Sequence, residues 1–395
     1  MLVLNHEIDL LRRVVAIDTN VMESKNYKKM AILLEKELEN IGARVEIIYA
    51  EEKDGRSRPN VIGYIDNGKD ETLALNAHYD VVPVALDEWK TNPFELSIKG
   101  NKAFGRGAAD TKSGVVAAIY AAKNARSRVN LELMFTCDEE IGGELGLGWV
   151  MKNRRDKVLS NSAVIIDARR KITIGASGGA SGKIIVTGKE AHSGYPFLGK
   201  NAITTSLLFL NKIQQFEKVA AMDVSKYGNG DRKVYGRFNI TMLHSGIKDT
   251  IIPGRLEATF SIRSIPEIPV ATLVKKFEGY FASTVKEFKI DAQLAEVKLH
   301  QDGYLTNPRS SIVRNMIRAA GSKELYGAFG GDDGIYFHRA GIPVVSYGAL
   351  NQSAHKSNEY VNLNEFKQVR DTLVKLLEDF RTDTIITNKA SQIGV

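Results

Sequence analysis

Three apolar runs in this chain each end abruptly in acids or a histidine. Leu73, Leu75 and Ala77 lead into His78-Tyr79-Asp80. Leu131, Leu133, Met134 and Phe135 lead into Asp138-Glu139-Glu140, and Ala163-Val164-Ile165-Ile166 ends at Asp167. Short apolar runs of this kind read as strands buried on both faces, the signature of a sheet covered by helices. The ends of such strands are where active sites of open α/β sheets collect. A histidine and several carboxylates gathered there suit a metal ion such as zinc.

Helical spacing fills the intervals. It runs through residues 6–42 and recurs at 114–125, 145–152, 312–320 and 365–380. Strand and helix alternate up to Asp167 and again after Ser310, which predicts an α/β catalytic unit with a mostly parallel central sheet. Between these portions the pattern changes. The small-residue run Gly175 to Gly182 reads as a crossing. Beyond it, strands at 183–187, 238–243 and 256–264 alternate with helices at 202–216 and 270–285. This predicts an inserted α+β domain of two helices on a four-stranded antiparallel sheet. The expected division is 1–175 and 301–395 for the catalytic part and 176–300 for the insertion. The stretch after Thr382 lacks periodicity and is expected to fray.

Composition narrows the function. A chain of 395 residues is too long for one core. Its 54 basic and 47 acidic residues are interleaved, with no cationic block. A nucleic-acid footprint would be clustered, so no nucleic-acid partner is expected. No apolar run approaches the ~20 residues that span a bilayer, and no membrane partner is expected. Residues 1–13 lack the layout of a signal peptide. The lone Cys137 can form no intrachain disulfide, and a cytoplasmic location is expected.

The residues themselves leave alternatives open. His78 and Asp80, two apart on an extended segment, face the same side. That suits a metal-bound imidazole held by a carboxylate, or a buried histidine satisfied by a neighbour. Asp110 follows the glycine-rich Gly105-Arg106-Gly107 and reads as a ligand or as a helix N-cap. The absence of a third glycine rules out a dinucleotide loop there. Glu139 and Glu140 diverge, so one can bind metal while the other handles a proton. His355 lies in Ala354-His355-Lys356-Ser357-Asn358-Glu359, after the last apolar run. Ser177, in Gly175-Ala176-Ser177-Gly178-Gly179, has the spacing of a nucleophile elbow, but such an elbow needs a strand followed by a helix. A strand follows here, which argues against a serine hydrolase. A binding protein without catalysis would be expected to lack part of this set.

Together these motifs resemble a family of dizinc amidohydrolases and metallopeptidases. It contains succinyl-diaminopimelate desuccinylases, acetylornithine deacetylases, aminoacylases and glutamate carboxypeptidases. The resemblance runs from about Asn60 to Leu377. It is carried by His78-x-Asp80, Gly105-Arg106-Gly107 leading to Asp110, Asp138-Glu139-Glu140, Gly188 to Ala202 with its His192, and His355-x-x-Asn358-Glu359. The first and last are closest to the desuccinylase branch.

The resemblance implies two zinc ions, replaceable by cobalt or manganese. His78 and Asp167 would bind one, Glu140 and His355 the other, and Asp110 both. Asp80 would orient His78. Glu139 would be the general base and then the general acid, and the Asp110–Thr111 peptide would be cis. The insertion would form a homodimer, with His192 serving the partner's site as an oxyanion donor. Arg263, at the end of the 256–264 strand, is the candidate for a substrate carboxylate, and Tyr195, Thr250 and Gly331 are further candidates for substrate contact. The implied activity is hydrolysis of the amide bond of an N-acyl amino acid, or of a short peptide by a dipeptidase or carboxypeptidase. Three positions depart from the desuccinylase pattern. Asp167 stands where those enzymes often have Glu, Thr250 where they have Asn, and Ala176-Ser177 where they have paired arginines.

Overall fold

The computed structural model describes residues 2–50 and 55–382. The stretch expected to fray after Thr382 lies outside them. A nine-stranded sheet organises most of the chain. Its order is Arg44–Ala50, Arg58–Ile65, Asn130–Thr136, Thr72–His78, Ser162–Ile165, Val344–Ser346, Ile172–Ala176 and Tyr304–Leu305, with Leu325–Ala328 also paired to Ile172–Ala176. The central run from Asn130–Thr136 to Val344–Ser346 is parallel. The flanks are largely antiparallel, so the sheet is mixed. The reason is connection length. A parallel return needs a crossover of a dozen residues or more. Only residues 166–171 separate Ser162–Ile165 from Ile172–Ala176, and the chain must reverse.

Residues Thr72–His78 and Asn130–Thr136 are buried throughout, because helices cover both faces. On one face Leu2–Val15, Lys112–Asn124 and Leu363–Glu378 pack together with the apolar side chains of the central strands. Lys112–Asn124 is rich in Ala and Val and can sit close to the sheet. A Cβ on Gly114 would lie 2.4 Å from the Ile166 carbonyl oxygen. The missing side chain thus lets the start of this helix press on the chain entering Asp167, which draws Asp110 towards it.

A second sheet stands apart, with all neighbours antiparallel: Arg237–Ser245, Arg255–Arg263, Gly179–Thr187 and Ala292–Gln301. Arg255–Arg263 alternates buried and less buried residues, as a strand with one covered face must. Helices Ala202–Gln214 and Val270–Phe288, with the short Phe216–Ala220, cover that face. Phe209, Phe216, Phe238, Phe260 and Phe277 fill the space between. The Phe277 ring lies 4.7 Å from those of both Phe238 and Phe260.

Candidate active site and metal centre

The parallel strands end together and deliver their acids to one place. His78 is the last residue of the central strand, and its Nε2 lies 3.1 Å from Asp110 Oδ1 and 3.7 Å from Asp167 Oδ2. His355 Nε2 lies 3.0 Å from Asp110 Oδ2 and 2.9 Å from Glu140 Oε2. Asp110 therefore sits between the two imidazoles. The Asp110–Thr111 peptide is cis. Asp80 is buried behind this group and accepts the backbone N–H groups of Glu139 and Glu140, both at 3.2 Å. Its carboxylate also lies 3.5 Å from His78 Nδ1. One carboxylate thus fixes the imidazole and the turn that carries both glutamates.

Two further buried ion pairs brace the loops. Glu359 accepts from the N–H groups of Gly107, Ala109 and Asp110 at 3.2, 2.9 and 3.1 Å, and from Arg106 Nη1 at 2.6 Å. It lies four residues after His355, so it ties the Asp110 loop to the His355 loop. Arg58 donates to Asp138 at 2.5 Å and Tyr27 donates to it at 3.0 Å. These bonds hold Asp138, with its left-handed φ of 61°, at the entry to the glutamate turn.

The residues present fit divalent cations. Two sets of ligand atoms, from His78, Asp110 and Glu140 and from His78, Glu139 and Asp167, each lie within 4.8 Å of one another. Glu140 Oε1 and Asp167 Oδ1 are buried without a hydrogen-bond partner. Burial, then the surrounding carboxylates, push Glu139 and Asp167 well above the ordinary carboxylate range. Contacts to Asp110 and Glu140 hold the His355 imidazole up, at about 10. So many buried acids need compensating positive charge. Imidazole nitrogen and carboxylate oxygen together suit zinc.

The cluster opens into a cleft with two lobes. One, of about 640 Å³, is bounded by Glu139, Glu140, His355 and Asp333 and, across from them, by Arg263, Lys298 and His300 of the antiparallel sheet. The other, of about 310 Å³, lies against Asp110 and Asp167. Gly331 lines both. Gln301 Nε2 packs where a Cβ on Gly331 would be, at 1.4 Å.

His192, Tyr195 and Thr250 line neither lobe. They gather elsewhere, on an exposed ribbon where Ala191–His192 pairs with Ile251–Ile252. His192 Nδ1 accepts the Gly194 N–H at 3.0 Å, the Tyr195 ring lies 5.7 Å from its own, and the Thr250 carbonyl accepts the Ser193 N–H at 2.9 Å. Ser177 is buried between two strands. Its hydroxyl donates to the Ala328 carbonyl at 2.9 Å and accepts from Arg237 at 3.1 Å, so it is no nucleophile elbow.

The sequence reading carries Glu359 only as part of the His355 motif, with no role of its own, takes His300 as structural or exposed, and does not single out Asp333 or Lys298. For Lys298 and His300 a signal existed: two basic side chains, two residues apart, at the end of a strand.

A mixed sheet whose strand ends and adjoining loops gather two histidines and at least four acids, beside a separate antiparallel sheet, is the build of a metal-dependent hydrolase. Comparison with known proteins makes this specific. Residues 74–379 match peptidase family M20/M25/M40, and the chain belongs to that family. It is 26% identical over 360 residues to an uncharacterized metallohydrolase of Methanocaldococcus jannaschii, covering 83% of this chain and 85% of that one. It is 28% identical over 328 residues to a succinyl-diaminopimelate desuccinylase of Helicobacter pylori, covering 79% and 80%. In fold it is similar to a tripeptidase of Staphylococcus aureus, with a TM-score of 0.77 at 19% identity over 95% and 98% of the two chains.

Proposed function

We propose that this chain is a dizinc enzyme that hydrolyses the amide bond of an N-acyl amino acid. His78 and Asp167 would hold one ion, Glu140 and His355 the other, and Asp110 would serve both; cobalt or manganese would replace zinc. The chemistry such ions would supply there is polarisation of a carbonyl oxygen and a water pKa lowered towards ~7. Glu139 takes the proton from the attacking water and returns it to the leaving nitrogen. Asp80 keeps His78 and the glutamate turn in register. Arg263 receives the substrate carboxylate, an interaction its planar fork suits, and Gly331, which lines both lobes, borders the substrate.

The observation that carries this reading is the cleft itself. Arg263, Lys298 and His300 face Glu139, Glu140 and His355 across about 640 Å³, which suits a small anionic substrate.

The reading also assigns residues 176–300 to a dimerisation domain. Leu207 and Leu208 on one helix and Met242 and Leu243 on one edge strand are all more than half exposed. Exposed apolar side chains on a helix and an edge strand of one domain suit a homodimer. The partner subunit's His192 then donates to the oxyanion that forms at the amide carbon, with Tyr195 and Thr250 carried beside it. A cytoplasmic location goes with the single buried cysteine.

A dipeptidase or carboxypeptidase is the second reading, favoured by Asp167 and by the absence of an arginine pair at Ala176-Ser177. A hydrolysis screen over N-acetyl, N-formyl and N-succinyl amino acids and dipeptides, with added zinc or cobalt, separates the two. Turnover of dipeptides alone overturns the deacylase reading.

A further inference from the structure

The turn that carries Glu139 is pinned at both ends. At its start, Asp80 accepts the Glu139 and Glu140 N–H groups, both at 3.2 Å. At its close, two glycines with left-handed φ, Gly142 at 110° and Gly143 at 70°, fold the chain back. The Gly142 N–H donates to the Glu139 carbonyl at 2.8 Å, and the Gly143 N–H to the Asp138 carbonyl at 2.7 Å. An outside partner meets this end. The Tyr336 hydroxyl, 194 residues away in the chain, donates to the Gly142 carbonyl at 2.5 Å.

The Tyr336 ring fits a cradle made by missing side chains. A Cβ on Gly143 would lie 3.0 Å from ring atom Cε2, and one on Gly148 would lie 2.7 Å from Cε1 and 2.8 Å from Cζ. Both edges of the ring therefore rest on glycine. Asp333 Oδ1 fills the space beside it, 2.3 Å from the same point on Gly143. Tyr336 lies on the short helix Gly334–Arg339, and Asp333 is its N-cap, so one helix end presses on the whole glycine turn. Burial, then Asp333, push the phenol up, and it stays a protonated donor. Glu140 has a second hold in His355, 2.9 Å away, and would be bound to an ion. Glu139, as proton carrier, would be bound to none, and its aim depends on the backbone of this turn.

We propose that Tyr336 is a positioning residue for Glu139: its hydroxyl, through the Gly142 carbonyl, holds the turn that aims the general base. The inference rests on reading Glu139 as the proton carrier. A reacting group displaced by ~1 Å can cost on the order of 10²-fold in rate, so even a loosened turn shows in kcat.

The test compares four zinc-loaded full-length proteins: wild type, Tyr336→Phe, Glu139→Gln and the double variant. Phenylalanine keeps the ring in its cradle and removes only the hydroxyl, so the thermal midpoint should move by about 2 °C or less. Hydrogen exchange read by mass spectrometry needs no substrate. Amides of residues 139–143 should exchange about five- to tenfold faster in Tyr336→Phe, the scale of one hydrogen bond, while exchange in the strand Asn130–Thr136 should stay unchanged. Hydrolysis is followed on whichever N-acetyl amino acid or dipeptide wild type turns over fastest. In Tyr336→Phe, kcat should fall about five- to tenfold with KM within about twofold. Added to Glu139→Gln, the same change should alter kcat by less than about twofold, because the group it aims is gone. Unchanged exchange at 139–143 overturns the proposal. So does an equal fall of kcat in both backgrounds, which marks Tyr336 as structural only. Undiminished turnover in Glu139→Gln overturns the assignment of the base instead, and faster exchange in Tyr336→Phe then supports its hold on the turn.

Discussion

Replacing Glu359 by glutamine should both destabilise the protein and weaken its metal binding, though Glu359 is assigned no metal. Its Oε1 accepts two backbone N–H groups, from Ala109 and Asp110, and its Oε2 accepts one from Gly107 and the Arg106 guanidinium. A glutamine keeps the size, but whichever way its amide turns, an NH₂ group faces two donors. At least two hydrogen bonds are lost, and Arg106 keeps its buried charge with carbonyl partners, Lys356 and Pro83, but without its carboxylate. Breaking a buried pair in this way costs ~3–5 kcal/mol. At ~2 °C per kcal/mol for a unit of this size, the thermal midpoint should fall by about 6–10 °C. The loop released is the one that carries Asp110, and disturbing the support of a metal ligand typically lowers metal affinity ~10–100-fold. Scanning calorimetry reads the first effect, and zinc titration against a competing chelator reads the second. A midpoint lowered by less than about 2 °C, with zinc affinity unchanged, would refute the reasoning.

Glu139→Gln should retain zinc in a metal analysis yet lower kcat by ~10²–10⁴, the usual contribution of a general acid–base group; undiminished turnover would assign the proton to another residue. A strong chelator should abolish hydrolysis and added zinc or cobalt should restore it, whereas turnover that survives complete removal of metal would count against a metal centre. Mixing a His192→Ala chain with a Glu139→Gln chain should recover about a quarter of wild-type activity, since random exchange makes half the dimers hybrid and each has one intact site. No recovery in dimers shown by mass spectrometry to have exchanged would rule out a role for His192 across the interface.

Much of the site is legible in the sequence because a parallel strand fixes where the next residues go. His78, Glu140 and Asp167 each follow an apolar run by a residue or a few, and those runs are neighbours in the sheet. What sequence reading leaves out depends on contacts between distant segments. Glu359 meets Gly107, Ala109 and Asp110 across some 250 residues, and no local pattern marks that meeting. The last strand of the small sheet, Ala292–Gln301, is hard to see for another reason. Its alternation is interrupted where Glu296 takes a φ of 51° and the pairing shifts register. That irregular strand carries Lys298 and His300, so the positive wall of the cleft goes unread with it. The reversal at residues 166–171 shows how a short connection overrides an otherwise correct expectation of parallel strands.

The two passages between the sheets lie side by side. Ala176, at the end of one strand, pairs with Tyr304 at the start of its antiparallel neighbour, and a Cβ on Gly178 would come within 2.6 Å of the Gly303 nitrogen. Everything from Gly179 to Gln301 therefore leaves and re-enters through a single gate. All the residues of the candidate metal centre lie outside it, and Arg263, Lys298 and His300 lie inside. The stretch is a cassette: a tight turn from Ala176 to Tyr304 would close the remaining chain without removing an acid or an imidazole of the candidate metal centre. Substitutions within the cassette can reshape what the cleft accepts and which surface pairs with a second copy, while the candidate metal ligands and Glu139 stay as they are. Selectivity and metal holding are thus free to change at separate rates.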